Sequence, residues 1–205
     1  MPTLLETTQQ DSVCTRYLPR YVCFADLFGN DRPVEIEIGC GKGIFLVSLA
    51  ERFPFTNFIG LDLSGKWMKK GESKQKRRKL NNLKFIKTEA KAFLSECIPP
   101  ESVRAFYIYF PDPWPKNKHR RRRLISDEFV ESIFAKLQSG GIVDIATDDK
   151  LYFAHIENVA RKGALPWQTI AYSDGQRISH PEVLTNYEVK YKQEGRPIYY
   201  LSLLK

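Results

Sequence analysis

Four cysteines (Cys14, Cys23, Cys40 and Cys97) are scattered through 205 residues, with no CxxC pair and none of the three histidines at ligand spacing. That argues against a zinc site and against a disulfide framework, so any core must come from burial, which a chain of this length can supply. No run approaches eighteen apolar residues, which excludes a membrane-spanning helix. The opening residues, MPTLLETTQQDSVC, lack a basic stretch followed by an apolar one, so no secretory leader is expected. Internal repeats and low-complexity linkers are missing too. What remains is a chain with 42% hydrophobic and 13% aromatic residues, expected to be globular and cytoplasmic.

Charge is distributed unevenly. Residues 66–91 hold eleven Lys/Arg against two Glu, and residues 116–123 hold six Lys/Arg and no acid. With a total of +8, the rest of the chain is net −7. Two basic segments in an otherwise acidic protein point to a polyanion partner if the fold brings them together. A solvated helix face plus a loop is the plainer alternative.

Strand-like and helical patterns alternate from residue 34 onward. VEIEI (34–38), NFIGLDL (57–63), LKFIKT (83–88), VRAFYIYF (103–110) and GIVDIAT (141–147) read as strands, and two more are expected near 167–172 and 197–204. Helical spacing fills 42–53, 64–80, 125–137 and 151–163, with Ser126 or Asp127 as a cap for the third, while residues 1–33 read as irregular. The order predicts an α/β fold with a doubly wound, mainly parallel sheet. Such sheets bind ligands beyond the carboxyl ends of their strands. Glu37 through Gly39, Asp62, Glu89, Asp112 and Asp148 all fall at those ends, which predicts a single site.

Gly39-Cys40-Gly41-Lys42-Gly43 forms the first strand-to-helix turn. Its GxGxG spacing differs from the GxGxxG of nicotinamide enzymes, and no Tyr-Lys or His pair supports a reductase. Asp62, nineteen residues on, is placed to accept the two hydroxyls of a ribose, and Glu89 to meet an adenine amino group. The most specific segment is Phe110-Pro111-Asp112-Pro113-Trp114-Pro115. Prolines on both sides of Asp112 are expected to hold an extended backbone and present the carboxylate. Directly after it comes Lys116-Asn117-Lys118-His119-Arg120-Arg121-Arg122-Arg123, a phosphate-binding pattern.

These pieces resemble the bacterial tRNA (guanine-N7)-methyltransferase family over residues 34–200. The resemblance is carried by EIGCGKG (37–43), IGLDL (59–63), FPDPWPKNKHRRRRL (110–124), ATD (146–148) and TNYEVKYKQEGRPIY (185–199). It implies a Rossmann-like class I methyltransferase domain with a seven-stranded sheet over 34–205, preceded by a short extension over 1–33. It further implies S-adenosyl-L-methionine as cofactor, with Glu37, Gly39, Gly41, Gly43, Asp62, Glu89 and Asp112 around it, and Asp112 as the catalytic aspartate. Lys116, Asp148, Thr185, Asn186, Tyr187 and Glu188 correspond to substrate contacts, and Lys118, His119, Arg120, Arg121, Arg122 and Arg123 to the RNA-facing stretch. The implied target is guanine 46 in the variable loop of tRNA. No metal is implied, and monomer and homodimer both stay open.

Guanine N7 carries a free in-plane lone pair, so no proton must leave before it attacks a methyl group. A strong general base is unnecessary, and the expected role of Asp112 is to bind the base and oppose the positive charge that develops on it. Asp148 and Glu188 are the other candidates for guanine's donor edge, unless Glu188 merely pairs with Lys190 or Lys192. Trp114 or Tyr187 could stack on the base. A methyltransferase acting on an exocyclic amine fits less well, because a single Pro precedes Trp114. A non-catalytic RNA-binding module would have no use for Glu37, Asp62, Glu89 and Asp112 in register.

Overall fold

The structure is a computed structural model that describes residues 12–14, 21–162, 165–172 and 177–205. Among the described residues, eight strands form one sheet in the order β1-β4-β3-β2-β5-β6-β8-β7. They are β1 (Ser12–Cys14), β2 (Val34–Ile38), β3 (Asn57–Asp62), β4 (Leu83–Lys87), β5 (Val103–Tyr109), β6 (Leu137–Thr147), β7 (Gln168–Tyr172) and β8 (Tyr199–Leu204). The strands from β1 to β6 pair in parallel, and β8 runs the other way, antiparallel to β6 and to β7. The expected seven strands are all present. The eighth, β1, arises inside residues 1–33, which read as irregular but here add a short parallel edge to β4. The same stretch contributes α1 (Phe24–Phe28) and places Val22 in the core, its N–H bonded to Cys97 O at 2.7 Å.

The remaining helices are α2 (Ile44–Arg52), α3 (Gly65–Arg78), α4 (Ala90–Cys97), α5 (Asp127–Lys136), α6 (Lys150–Lys162) and α7 (Asn186–Gln193). Of the two possible caps for α5, Ser126 takes the position, its hydroxyl accepting from Phe129 N at 3.3 Å. Strand β6 starts four residues before the expected point and runs through the Gly140-Gly141 pair, where its register with β5 shifts between Val103 and Ala105. Such an irregularity lets the strand absorb a turn signal without ending.

The two faces of the sheet differ in chemistry. One face presents Ile36, Ile59, Phe106, Ile108, Val143, Ile145, Leu201 and Leu203 to α4, α5 and α6, and this core is apolar. The alternate positions on the other face carry Glu35, Glu37, Tyr107, Tyr109, Asp144, Tyr200 and Ser202, all buried. A polar row inside a core requires partners for every atom. Glu35 receives Arg104 Nε at 2.8 Å and Nη2 at 2.6 Å, Tyr107 Oη at 2.6 Å, and lies 3.2 Å from His180 Nε2. Burial works against its ionisation, yet the bonds to His180 and Tyr107 and the charge of Arg104 outweigh that and hold its pKa below the usual value. Asp144 accepts from Ser179 N at 2.9 Å and from the Ser202 hydroxyl. Residues 177–185 are thus tied onto the polar face, and α7 follows them. No helix among the described residues is long and apolar enough to cross a membrane.

Candidate active site

At the carboxyl end of β2 the chain turns through Gly39, Gly41 and Gly43, with φ of +80°, +52° and +60°. Side chains resist these values, and at Gly43 a Cβ would also stand 2.4 Å from the Phe85 ring, so glycine is required twice over. Gly39 N and Cys40 N both donate to Leu61 O, at 2.8 and 3.0 Å. Asp62 fixes the rest of the turn: its Oδ2 accepts from Gly41 N at 2.8 Å and its Oδ1 from Ser64 N at 2.7 Å. The carboxylate is therefore already positioned, with lone pairs left over for a ribose.

Above the turn lies a cavity of about 410 Å³, lined on the sheet side by Glu37, Tyr109 and Phe110. The glycine turn and the first residues of α2 form its floor, and Trp67 of α3 and residues 185–187 with Lys190 of α7 form its walls. The free N–H groups at the start of α2 favour an anionic group there. Among the described residues five buried side-chain polar atoms lack a hydrogen-bond partner, and two of them, Glu37 Oε2 and Tyr109 Oη, belong to this lining. Burial pushes the Glu37 carboxyl up to about 8; Arg177 opposes the rise, while Asp62 and Glu188 add to it. A buried acid without a partner, beside a preorganised glycine turn, fits a ligand that brings a cationic donor group.

The segment after β5 does not run extended as its prolines suggested. Phe110 and Trp114, each preceding a proline, have φ of +52° and +42°, so the chain kinks twice around Asp112. Non-glycine residues in this region store on the order of 1–3 kcal/mol each and persist only where neighbours fix them. Phe110 is held by its N–H to Ala146 O at 2.7 Å and by the Tyr187 and Tyr191 rings, and around Trp114 the fixing groups come from the basic run itself. Arg123 is buried and its Nε donates to Pro113 O at 2.8 Å, with its guanidinium 4.9 Å from the Tyr152 ring. Arg122 stands 5.1 Å over the Trp114 ring, and His119 packs 5.8 Å from that ring. Asp112 itself is exposed. Lys116 precedes a 3-10 helix over Asn117–Arg122, on which Lys118, Arg120, Arg121 and Arg122 are exposed.

On the opposite wall Thr185 caps α7 in a capping box: its Oγ1 accepts from Glu188 N at 3.1 Å, and Thr185 N donates to Glu188 Oε2 at 2.6 Å. Glu188 is buried and bonded further to Arg177 and to Tyr200 Oη, the latter at 3.0 Å. Asn186 and Tyr187 are exposed, and Tyr187 lies 5.5 Å from Phe110. Asp148 is ion-paired with Arg196, whose guanidinium covers the Tyr191 ring.

The structure thus brings Glu37, Gly39, Gly41, Thr185, Asn186 and Tyr187 into one cavity, with Gly43 and Asp62 bracing it from below. Asp112, Lys116 and Asp148 stand outside its lining, the first two on the loop that leaves it at Phe110. Three residues take local duties that the sequence did not show. Glu89 is exposed, stands outside the cavity lining and caps α4, accepting from Lys91 N at 3.1 Å and Ala92 N at 2.8 Å. Glu188 pairs with neither Lys190 nor Lys192 and does not face the cavity; it is the internal brace of α7. Arg123 anchors the Asp112 loop and leaves the exposed cations to the residues before it. Phe45, Trp67, Tyr109 and Arg177 escape the reading of the sequence. Tyr109 was legible in the alternation of FYIY with EIE on the neighbouring strand, whereas Trp67 and Arg177 sit in segments that announce nothing. Among the described residues no cluster of three His, Cys, Asp or Glu side chains could hold a metal ion.

A family described as putative methyltransferases matches residues 31–201. The chain is 33% identical to a tRNA (guanine-N(7)-)-methyltransferase of Thermotoga maritima over 91% of its own length and 59% of that protein, so it spans less than two thirds of that relative. It is 32% identical to the protein of the same name from Rubrobacter xylanophilus, covering 88% of itself and 80% of the relative. Solved structures of similar fold include an rRNA methylase from Streptococcus thermophilus, with TM-score 0.58 and 17% identity over 89% of this chain and 93% of that one. Another is phosphoethanolamine N-methyltransferase 2 of Haemonchus contortus in complex with S-adenosyl-L-methionine, with TM-score 0.56 and 12% identity over 85% and 49%. The glycine turn, the Asp112 loop and α7 lie within the matched residues, and the chain belongs to the tRNA (guanine-N7)-methyltransferase family.

Proposed function

We propose that this protein transfers a methyl group from S-adenosyl-L-methionine to N7 of guanine 46 in the tRNA variable loop, in the cytoplasm, through the domain at residues 34–205. The observation that carries the reading is the cavity with its unpartnered Glu37 and Tyr109 polar atoms, bordered at Phe110 by the loop that joins Asp112 to exposed cations. Glu37 and the glycine turn would hold the donor's amino acid portion, and Asp62 its ribose. When bound, S-adenosyl-L-methionine supplies a methyl group made electrophilic by its sulfonium centre.

The chain's residues then have positioning and electrostatic work to do. Asp112, presented by a kinked and doubly anchored loop, is the carboxylate available to bind the purine edge and oppose its growing charge. Asp148 can do this only by leaving Arg196. Tyr187 and Trp67, both exposed at the cavity, supply aromatic faces for the base. Lys116, Lys118, Arg120, Arg121 and Arg122 are exposed on the loop that leaves the cavity and suit phosphates, and Lys66, Lys69 and Lys70 are exposed next to Trp67 in its wall.

Incubation with labelled S-adenosyl-L-methionine and unmodified tRNA, followed by borohydride and aniline cleavage, tests the proposal. Cleavage at the variable-loop guanine is expected, and label without cleavage there would refute N7 of that base as the target. A second expectation separates RNA binding from loop anchoring. Changing Arg120 and Arg121 to Ala should lower the log–log salt slope of tRNA binding by about 0.7–0.9 for each phosphate no longer neutralised. Arg123→Ala, by contrast, should lower turnover with the slope little changed, because that side chain holds Pro113 instead of reaching solvent. Filter binding at several salt concentrations distinguishes the two; equal slopes for all variants would make the run a solvated helix only.

A further inference from the structure

Arg177 belongs to none of the motifs in the sequence, yet its side chain is only 2% exposed. Its guanidinium stands 4.9 Å from the Phe45 ring centroid and 4.8 Å from that of Tyr109, two residues of the cavity's donor side. Its edges bond the opposite wall: Nη1 to Glu188 Oε1, Nη2 to Val183 O, and Nε to Ser179 O at 3.1 Å. One buried cation therefore spans from the donor side to the base of α7.

Packing alone does not account for it. A buried ion pair of this kind rarely stabilises a fold more than apolar side chains of the same volume, and two aromatic rings would have accepted such a substitute. The charge matters to Glu37. The groups that act on this acid are Arg177 from the 177–185 segment, Asp62 at the end of β3 and Glu188 on α7, with the Cys40 thiol and Tyr109 phenol as its other titratable neighbours. Among the described residues Arg177 is the one cation in that set, and it is itself paired with Glu188; Lys42, over the Trp67 ring, and Lys190 line the same cavity.

We propose that Arg177 is a positioning residue that couples the two halves of the site, fixing the charge environment of Glu37 for the donor and, through Glu188, the seat of the base-facing helix α7. This rests on the reading of Glu37 as a donor ligand. The consequence is that the donor affinity and the tRNA step share one buried ion pair, although Arg177 touches neither substrate.

The test is calorimetric titration with S-adenosylhomocysteine, without tRNA, from about pH 6 to about pH 9, a range that brackets the ionisation of a buried carboxyl. Glu188→Gln removes a like charge and should move the pH dependence of affinity to lower pH. Arg177→Met removes the favourable charge and should move it upward, with binding about tenfold weaker at neutral pH, the effect of one pKa unit. Arg177→Lys keeps the charge without the fork, so its pH dependence should stay near wild type while kcat/KM for tRNA falls by about tenfold through α7. If Arg177→Met does not fold, the Glu188→Gln and Arg177→Lys arms decide. An unmoved pH dependence in Glu188→Gln overturns the inference alone; no binding by the wild-type protein overturns the donor reading and the inference with it.

Discussion

Asp112→Ala is expected to fold as the wild type, bind S-adenosylhomocysteine with near-normal affinity and lose about 10²–10³-fold in the rate of methyl transfer, the usual effect of deleting one preorganised electrostatic group. The side chain is exposed, and the loop that presents it is held by Pro113 O to Arg123 and by Trp114 under Arg122. Removing the carboxylate therefore costs the fold nothing that those interactions do not already supply. Guanine N7 needs no deprotonation, so the loss should be nearly independent of pH, unlike the loss of a general base. Single-turnover transfer of labelled methyl, measured beside the calorimetric affinity, reads both quantities. A rate within twofold of wild type would remove Asp112 from the chemistry, and Asp148, once released from Arg196, would become the candidate.

Glu37→Gln is expected to produce opposite effects on binding and on stability. With its carboxyl raised from 4.5 to about 8 in the folded protein, Glu37 holds a proton that the unfolded chain gives up at lower pH. Between those two values the native state binds more protons than the unfolded one, so stability falls as pH rises, by an amount on the order of a few kcal/mol in all. Glutamine has nothing to ionise, and its variant should melt above the wild type at pH 8 and close to it at pH 5. Donor affinity should fall by about 10–100-fold, the range for a lost charge-assisted bond in a buried site. The wild type should also release a proton when it binds the donor near neutral pH, visible as a dependence of the binding heat on the buffer, and the variant should not. Parallel melting curves for the two proteins across this range would show that Glu37 is ionised in the free protein.

The amino-acid sequence revealed the strand order of chemistry well and the division of labour less well. Acids at strand ends are visible because a strand has a direction and a fixed period, so Glu37, Asp62 and Asp112 could be placed at one edge of the sheet from the strand pattern alone. What the pattern does not carry is which local structure each acid holds. Glu89 looks like Asp62 in sequence, and each accepts from two backbone N–H groups, but those of Glu89 belong to the exposed start of α4 whereas Asp62 braces the glycine turn. Glu188 looks like a surface acid three residues into a helix, and its fate depends on Arg177, eleven residues earlier in a segment without periodicity. The polar row on the sheet was readable in part, since EIE, YIY and the Asp in IVDIA alternate with apolar residues. Read locally, that alternation suggests a face open to water; only the tie of Ser179 to Asp144 and of His180 to Glu35 closes it.

Beneath the glycine turn, the ring of Phe85 occupies the space that three side chains would otherwise claim. A Cβ at Gly43, Gly60 or Gly71 would come within 2.4, 2.8 or 2.7 Å of it. The ring thus acts as a shim between β3, α2 and α3, and it sets the height at which the donor turn rides above the sheet. Because the three backbones close on one aromatic from different sides, none of them can shift without the others. Shrinking residue 85 would not by itself free them, because Leu46 Cδ1 and Cys40 Sγ close on Gly60 at 2.8 and 2.9 Å, Lys42 O closes on Gly71 at 2.9 Å, and Gly43 keeps its positive φ.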